Sequence, residues 1–323
     1  MSGTPAGARP LSDGNERYRY RPRASAWAHR LGLFIASVCV LAYALGPVAW
    51  LVASSAQDEA EITSIPPHWI PDRPTLENYR AIFHTGQQEV TYQTRSRVDT
   101  VSHGYIPSTA KNLLSGMANS FKVAVSVVLL NLLVGIPAAY AIAKIRFHGR
   151  ASSIYFMLAT RVIPDFALVV PFFLLIRRLG LIDNILSLVV TYLAVTVPFT
   201  VFVLVSYFES LPDELDKAAR VDGCSRLQAL THVFLPLALP ALVAVVLFAF
   251  LASWNEFLLA LMFTESPASQ TLPIVAASFA SDFNISFSFI NAAGVVAIIP
   301  PVILALMFER YIVSGMTAGA VKG

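Results

Sequence analysis

Long apolar runs separated by polar punctuation dominate the chain. About 20 apolar residues cross the hydrocarbon core of a bilayer as a helix. Six stretches meet that length: Leu31 to Ser54, Val123 to Ala143, Ile154 to Ile176, Ile185 to Phe208, Leu235 to Phe263 and Phe289 to Phe308. The third is interrupted by Arg161 and Asp165, and the fifth is long enough to tilt or to leave the core. Backbone amides cannot stay unpaired in lipid, so each run is read as a helix rather than open sheet. The pattern predicts an all-α polytopic membrane bundle of six transmembrane helices. Arg21, Arg23 and Arg30 precede the first run, as they would in a secretory signal. Its apolar part exceeds the roughly 7–15 residues of a signal core, and it reads as an uncleaved anchor.

Composition agrees with the pattern. Of 323 residues, 56% are hydrophobic and only 13% charged, with a mean hydropathy of +0.63. A soluble domain carries about 25% charged residues, so an ordinary cytosolic enzyme, a secreted disulfide scaffold and a disordered chain are all excluded. A net charge of +3 makes no case for nucleic acid. Cys39 lies inside an apolar run and Cys224 in a polar loop, a placement that does not suit a pair. Lys and Arg set orientation by position rather than by sum. Arg9 to Arg30, then Lys144, Arg146 and Arg150, then Lys217, Arg220 and Arg226, then Arg310 and Lys322 all fall on one side of a six-span bundle. Both termini are therefore expected in the cytoplasm.

The polar segments divide the rest. Residues 1–30 read as a disordered basic tail and 31–323 as the membrane domain, with an external loop at 55–118. Within that loop, Leu76, Tyr79, Ile82 and Phe83 share one helical face behind Thr75 as N-cap. Residues 84–111 are polar without a period, which suits a solvated insertion better than a contact with an external partner. His68, His84 and His103 have no metal-ligand spacing, and no metal site is expected.

The segment between the fourth and fifth runs, 209–236, is the most informative. Ser210 and Pro212 are expected to open a helix whose first turns hold Asp213, Glu214 and Asp216 at the positive end of its dipole. Gly223 ends it, and Ser225 with Gln228 forms a capping box for a second helix with Leu227, Leu230 and Phe234 on its apolar face. Pro236 and Pro240 bend the junction with the fifth run. Ala218 and Ala219 are small enough for close approach to another surface. From residues alone, docking into a partner's cleft and packing on the chain's own bundle stand level.

Polar groups inside the runs are the other candidates. Arg161 and Asp165 are four apart, on one helix face if the helix is continuous. They read equally as the wall of a translocation path and as a structural ion pair. Pro164 and Pro171 nearby suit a helix that bends. Asn255 and Glu256 are expected to face the pathway, with a buried inter-helix hydrogen bond as the competing role. Asn131 reads as glue between helices. Trp50, Tyr192 and Trp254 serve equally as interfacial anchors and as platforms for a sugar ring.

The segment 209–236 resembles the EAA loop of ABC importer permeases, whose pattern is Glu-Ala-Ala, three residues, Gly, then a hydrophobic residue and Leu-Pro. It matches at Ala218-Ala219, Asp222-Gly223 and Leu235-Pro236. Lys217 stands where the motif has Glu, and Glu214 and Asp216 are the acids that could take its place. Thr75-Leu-Glu-Asn-Tyr79, Asn119-Ser120, Ala138-Ala-Tyr-Ala141, Pro171, Leu179-Gly-Leu181, Trp254-Asn-Glu-Phe257 and Gly319-Ala-Val-Lys-Gly323 resemble the second permease subunit of maltose-type carbohydrate importers. The resemblance covers roughly 31–83 and 112–323.

It implies the type I importer permease fold in a bacterial inner membrane. It further implies a second, related permease as partner, two ATPase subunits, an extracytoplasmic solute-binding protein and a carbohydrate substrate. Glu214, Lys217, Ala218, Ala219, Asp222, Gly223, Leu235 and Pro236 would form the coupling contact. Lys322 and Gly323 would reach the ATPase pair. No catalytic residue and no cofactor is expected in this chain. ATP and Mg would bind the ATPase, since Gly-x-x-x-x-Gly-Lys-Ser/Thr is absent here. An ion-coupled secondary transporter is the alternative. An intramembrane enzyme is disfavoured by the lack of His-Glu-x-x-His and Gly-x-Ser-Gly.

Overall fold

A computed structural model describes residues 23–83, 108–279 and 286–320; side chains are described for 27–83, 110–279 and 286–311. The tail to residue 22, most of the 84–111 insertion, and Lys322 and Gly323 lie outside the described residues. There is no strand among the described residues. Contacts divide the chain into a first unit ending at Trp50 and a second from Leu51 onward. The first unit is carried by α1 (Arg23–Ser55), of which Trp27–Ser55 is long and apolar enough to span a membrane.

The second unit is a helical bundle. Short helices α2 (Glu59–Ile62) and α3 (Glu77–Phe83) precede α4 (Leu113–Lys144). Then follow α5 (Arg150–Thr160), α6 (Asp165–Arg178) and α7 (Ile185–Ser210). A polar hairpin comprises α8 (Glu214–Val221) and α9 (Arg226–Ala229), a π-helical turn at Leu230–Phe234 and α10 (Leu235–Leu237). After it come α11 (Leu239–Trp254), α12 (Leu258–Phe263), α13 (Leu272–Ser278) and α14 (Phe287–Ala320). Among the described residues, four helices are long and apolar enough to cross a membrane, or up to six if each of two bent pairs counts as one span.

Helix α4 is the axis of the unit, because all three buried cores include it. Leu113 and Ala124 join α11, α13 and α14; Val123 and Val127 join α6, α7 and α12; Ala139, Tyr140 and Ile142 join α7, the hairpin and α11. Gly135 lets α4 and α7 close up: a Cβ there would sit 2.9 Å from Thr200 Cγ2. One turn away Asn131 donates to Thr196 Oγ1 at 2.8 Å, the inter-helix bond expected of it.

Two of the runs are broken. Between α5 and α6 the chain turns by 97°. Pro164 lacks an amide hydrogen and is itself extended, so the ladder stops at Thr160 and restarts at Asp165. Arg161 and Asp165 therefore do not share a face of one helix. Pro171, by contrast, sits inside α6 without ending it. The Leu235 to Phe263 run is likewise not one helix. It bends by 83° between α10 and α11, and α11 stops at Trp254 before α12 begins.

The start of α3 is as read, with Thr75 Oγ1 accepting the Glu77 amide at 3.2 Å. Its buried face differs. Asn78, Ala81 and Ile82 point inward, whereas Leu76 and Phe83 are exposed. Asn78 turns in because its amide donates to the Ser55 and Gln57 carbonyls.

Candidate functional site

The polar hairpin is built by a stop, a left-handed turn and a capping box. Leu211, preceding Pro212, is extended and ends α7 at Ser210. Ser210 is thus not the cap of α8; its hydroxyl donates back to the Tyr207 carbonyl at 2.7 Å, and α8 opens after Asp213. Gly223 adopts φ +84°, with its own amide bonded to Arg220 and the Cys224 amide reaching Ala219 at 2.9 Å. That is the paired closure that left-handed glycine provides at a helix end. The reciprocal Ser225–Gln228 capping box opens α9. Of the expected apolar face, Leu230 and Phe234 are buried, but Leu227 is 66% exposed.

The outward surface of this hairpin follows from helix geometry. Neighbouring residues point about 100° apart, so Ala219 is buried while Ala218 faces out. Glu214, Lys217, Asp222 and Pro236 are exposed, and Leu235 is half-buried. Val221, 87% exposed, and Leu227 flank the turn at Gly223. Two bare aliphatic side chains on a small polar knuckle suit contact with another protein surface. Asp216 cannot serve as the outward acid, because Tyr140 donates to its Oδ1 at 2.6 Å. Glu214 is exposed.

Beneath the hairpin lies a tight polar and aromatic anchor. The Lys144 side chain is only 3% exposed and donates to the Leu211 carbonyl at 2.8 Å and to Asp213 Oδ1 at 2.7 Å. The Lys144 hydrogen bond, with its charge, holds the Asp213 carboxyl below the usual carboxylate range. Tyr140, Phe208 and Phe234 meet edge to face at 5.2–6.3 Å between centroids. Arg150 pairs with Glu209 at 2.5 Å. Sequence reading missed the roles of Tyr140 and Lys144, although their four-residue spacing at the end of an apolar run was the available signal.

The second candidate region is the break between α5 and α6. A cavity of about 370 Å³ opens there. Thr160, Arg161, Pro164 and Asp165 line it, with Phe172 and Val195 among the facing residues. So the structure brings Arg161 and Asp165 to one cavity, though by a bend rather than by a shared helix face. Arg161 donates to the Val195 carbonyl at 3.2 Å and lies over the Phe199 ring. No Arg161–Asp165 ion pair is found among the described residues.

Asn255 and Glu256 are not among the residues lining this cavity. Asn255 is exposed at the end of α11. Glu256 accepts the Leu259 and Ala260 amides at the start of α12, and Tyr192 donates to it at 2.5 Å. Its carboxylate therefore joins α7 to α12, the inter-helix role. Tyr192 and Trp254 are buried, the latter stacked on Phe250, so neither is an interfacial anchor or an open platform.

The far end of the bundle is held by carboxylates and an amide. Glu59 accepts the Phe287 and Ser288 amides and the Ser286 and Ser288 hydroxyls. Asp183, at φ +59°, accepts the Glu265 and Ser266 amides at 2.9 Å and the Ser269 hydroxyl. The Ser266 amide, then the Ser269 hydroxyl and the Glu265 amide, hold its carboxyl far below the usual range. Asn119 donates to the Ala268 and Gln270 carbonyls, both at 3.0 Å. One arrangement that histidine spacing did not suggest is His68, whose Nδ1 lies 3.1 Å from Asp72 and 3.7 Å from Glu61 on the surface loop after α2.

Comparison with known proteins agrees with this geometry. The chain is 36% identical to the sulfoquinovosyl glycerol transport system permease protein SmoH of Agrobacterium fabrum, covering 90% of this chain and 93% of the relative. It is 35% identical to the trehalose/maltose transport system permease protein MalG of Thermococcus litoralis, covering 91% and 97%. Its fold matches, with TM-score 0.73 and 23% identity over 91% of this chain and 99% of the other, a bacterial ABC transporter involved in import of the acidic polysaccharide alginate. Residues 131–318 match the family described as binding-protein-dependent transport system inner membrane component. That match holds the hairpin, its anchor and the broken span together, and the chain belongs to this family of transport permeases.

Proposed function

We propose that the chain is the membrane-spanning permease subunit of an ATP-driven importer of a carbohydrate, supplied by an extracytoplasmic binding protein. Support for the substrate class comes from relatives whose names specify sugars and sugar derivatives. Support for ATP coupling comes from the hairpin, and its exposed Val221 and Leu227 on a glycine-closed knuckle are the single observation that carries the reading. In this reading the hairpin lies in the cytoplasm with both termini and seats in a groove of one ATPase subunit. A second permease completes the membrane core, ATP and Mg bind the ATPase pair, and the residue 317–323 tail reaches that pair. The solute passes the break between α5 and α6, where Arg161 and Asp165 offer a donor and an acceptor to hydroxyl-rich molecules.

The test is reconstitution of the chain with its partner permease, ATPase and binding protein in liposomes, offered radiolabelled trehalose, maltose and sulfoquinovosyl glycerol in turn. Uptake of a sugar that needs both ATP and the binding protein is the expected result. Uptake by this chain alone under an ion gradient would overturn the reading in favour of a secondary transporter.

A further inference from the structure

The hairpin is covalently joined to α7 on one side and α11 on the other, yet its tightest polar contacts are with α4. Two residues near the end of α4 grip it. Tyr140 donates to Asp216 within α8, and Lys144 donates to Asp213 and to the Leu211 carbonyl at the mouth of the hairpin. The second arm is held as well: Phe234 is fully buried against the Tyr140 ring at 5.2 Å, and Lys144 Nζ lies 5.7 Å over the Phe234 ring. Helix α4 is about 48 Å long at 1.5 Å per residue. Near its other end it grips a second segment. Asn119 holds the Ala268 and Gln270 carbonyls, and Ser120 accepts the Leu272 amide at 2.9 Å. One helix therefore ties the hairpin to the 267–272 loop at the opposite end of the bundle.

We propose that α4 carries displacement of the hairpin across the bundle, and that Tyr140 and Lys144 are the positioning residues that pass it on. The proposal rests on the ATPase-docking reading above and assigns the route by which that docking acts. The covalent join to α7 alone would be a loose link, because the hairpin leaves that helix through the extended Leu211. The α4 contacts are short: the polar ones, partly buried or exposed, hold the first arm, and the buried Phe234 ring holds the second. A push on α8 then moves α4 along with it, and the 267–272 loop at the far end follows through Asn119 and Ser120.

The test uses the complete transporter in nanodiscs, with Cys39 and Cys224 replaced by Ser and one cysteine placed at Thr160 in the cavity. A charged, impermeant thiol reagent is applied before and after trapping with Mg-ATP and vanadate. With the link intact, trapping changes the labelling rate. Y140F, which removes only the hydroxyl, and K144M, which keeps the alkyl stem, are expected to retain copurification with the ATPase and ATP hydrolysis. Their trapping-induced change in labelling should fall by about fivefold or more, the scale of a typical coupling between sites. D216A should match Y140F, whereas D216N, whose amide oxygen still accepts from Tyr140, should restore most of the change. An unaltered labelling change in Y140F, K144M and D216A overturns the proposal. Parallel loss of hydrolysis and labelling in all of them also overturns it, since that marks a merely structural contact. Failure of the unsubstituted chain to copurify with the ATPase would instead overturn the docking reading on which it stands.

Discussion

Two apolar stretches that look like single spans are both broken, and the breaks differ in what fills them. At the 83° corner between α10 and α11, Leu230, Phe234 and Ala238 are buried, and Tyr207 donates to the Leu237 carbonyl at 2.8 Å. At the 97° corner between α5 and α6, Arg161 to Asp165 are all exposed beside a cavity. Proline sits at both, so proline explains the breaks but not their character. The difference is packing. A corner filled with aromatic and aliphatic side chains can transmit force, and one left open beside a cavity can admit a solute and change its angle.

The largest expected effect comes from emptying the filled corner. Phe234→Ala removes a fully buried ring touching Tyr140 and Phe208. Such truncations cost about 3–5 kcal/mol, and thermal unfolding in detergent should show it along with loss of ATPase copurification. A smaller loss is expected at the knuckle. Gly223→Val forces a β-branched side chain to φ +84°, at about 1–2 kcal/mol for the left-handed conformation. The bundle should still insert while ATPase stimulation drops, and unchanged stimulation would break the link between the knuckle and coupling.

Opposite behaviour is expected at the open corner. Arg161→Ala and Asp165→Asn remove contacts only with the half-buried Val195 and Phe199. Stability should move by about 0.5 kcal/mol, the scale of surface changes, while sugar uptake falls far more than ATP hydrolysis. If uptake holds and stability collapses, the two corners have been read the wrong way round.

The smallest effect on transport concerns the far-end clamp. Asp183→Ala should cost about 1–2 kcal/mol, since bonds to a charged acceptor are stronger but this one is screened by solvent. Because the folded Asp183 carboxyl is depressed, its stabilisation is present above the usual value of about 4 and is lost as pH falls through the folded value. Hydrogen exchange at the Glu265 and Ser266 amides should therefore stay protected as pH drops from 7 to 4, and Asp183→Ala should remove that protection.

How far the sequence carries depends on whether a feature is local. The Ser225–Gln228 box, the Gly223 stop and the Thr75 bond to Glu77 rest on residues within a few positions, and each is present as read. Ser210 was legible as a capping residue but not as the end of α7, because the extended Leu211 before Pro212 decides that boundary. The Tyr140–Asp216 and Lys144–Asp213 contacts join residues 76 and 69 apart, and no periodicity announces such pairs. From sequence Glu256 reads as a pathway group, because a polar side chain in an apolar run suits a hydroxyl-rich solute; the helix break that gives it two amides to cap lies in tertiary structure.

The difference between the corners can be measured directly with paired spin labels in the assembled transporter, without nucleotide and after trapping with Mg-ATP and vanadate. One pair, at Tyr155 and Val170, spans the open corner; the other, at Leu227 and Leu239, spans the filled one, and all four side chains are exposed. A change across the open corner beyond the about 1–2 Å of an ordinary helix shift, with the filled corner constant, is the predicted result. A filled corner that opens while the other holds still would contradict the account.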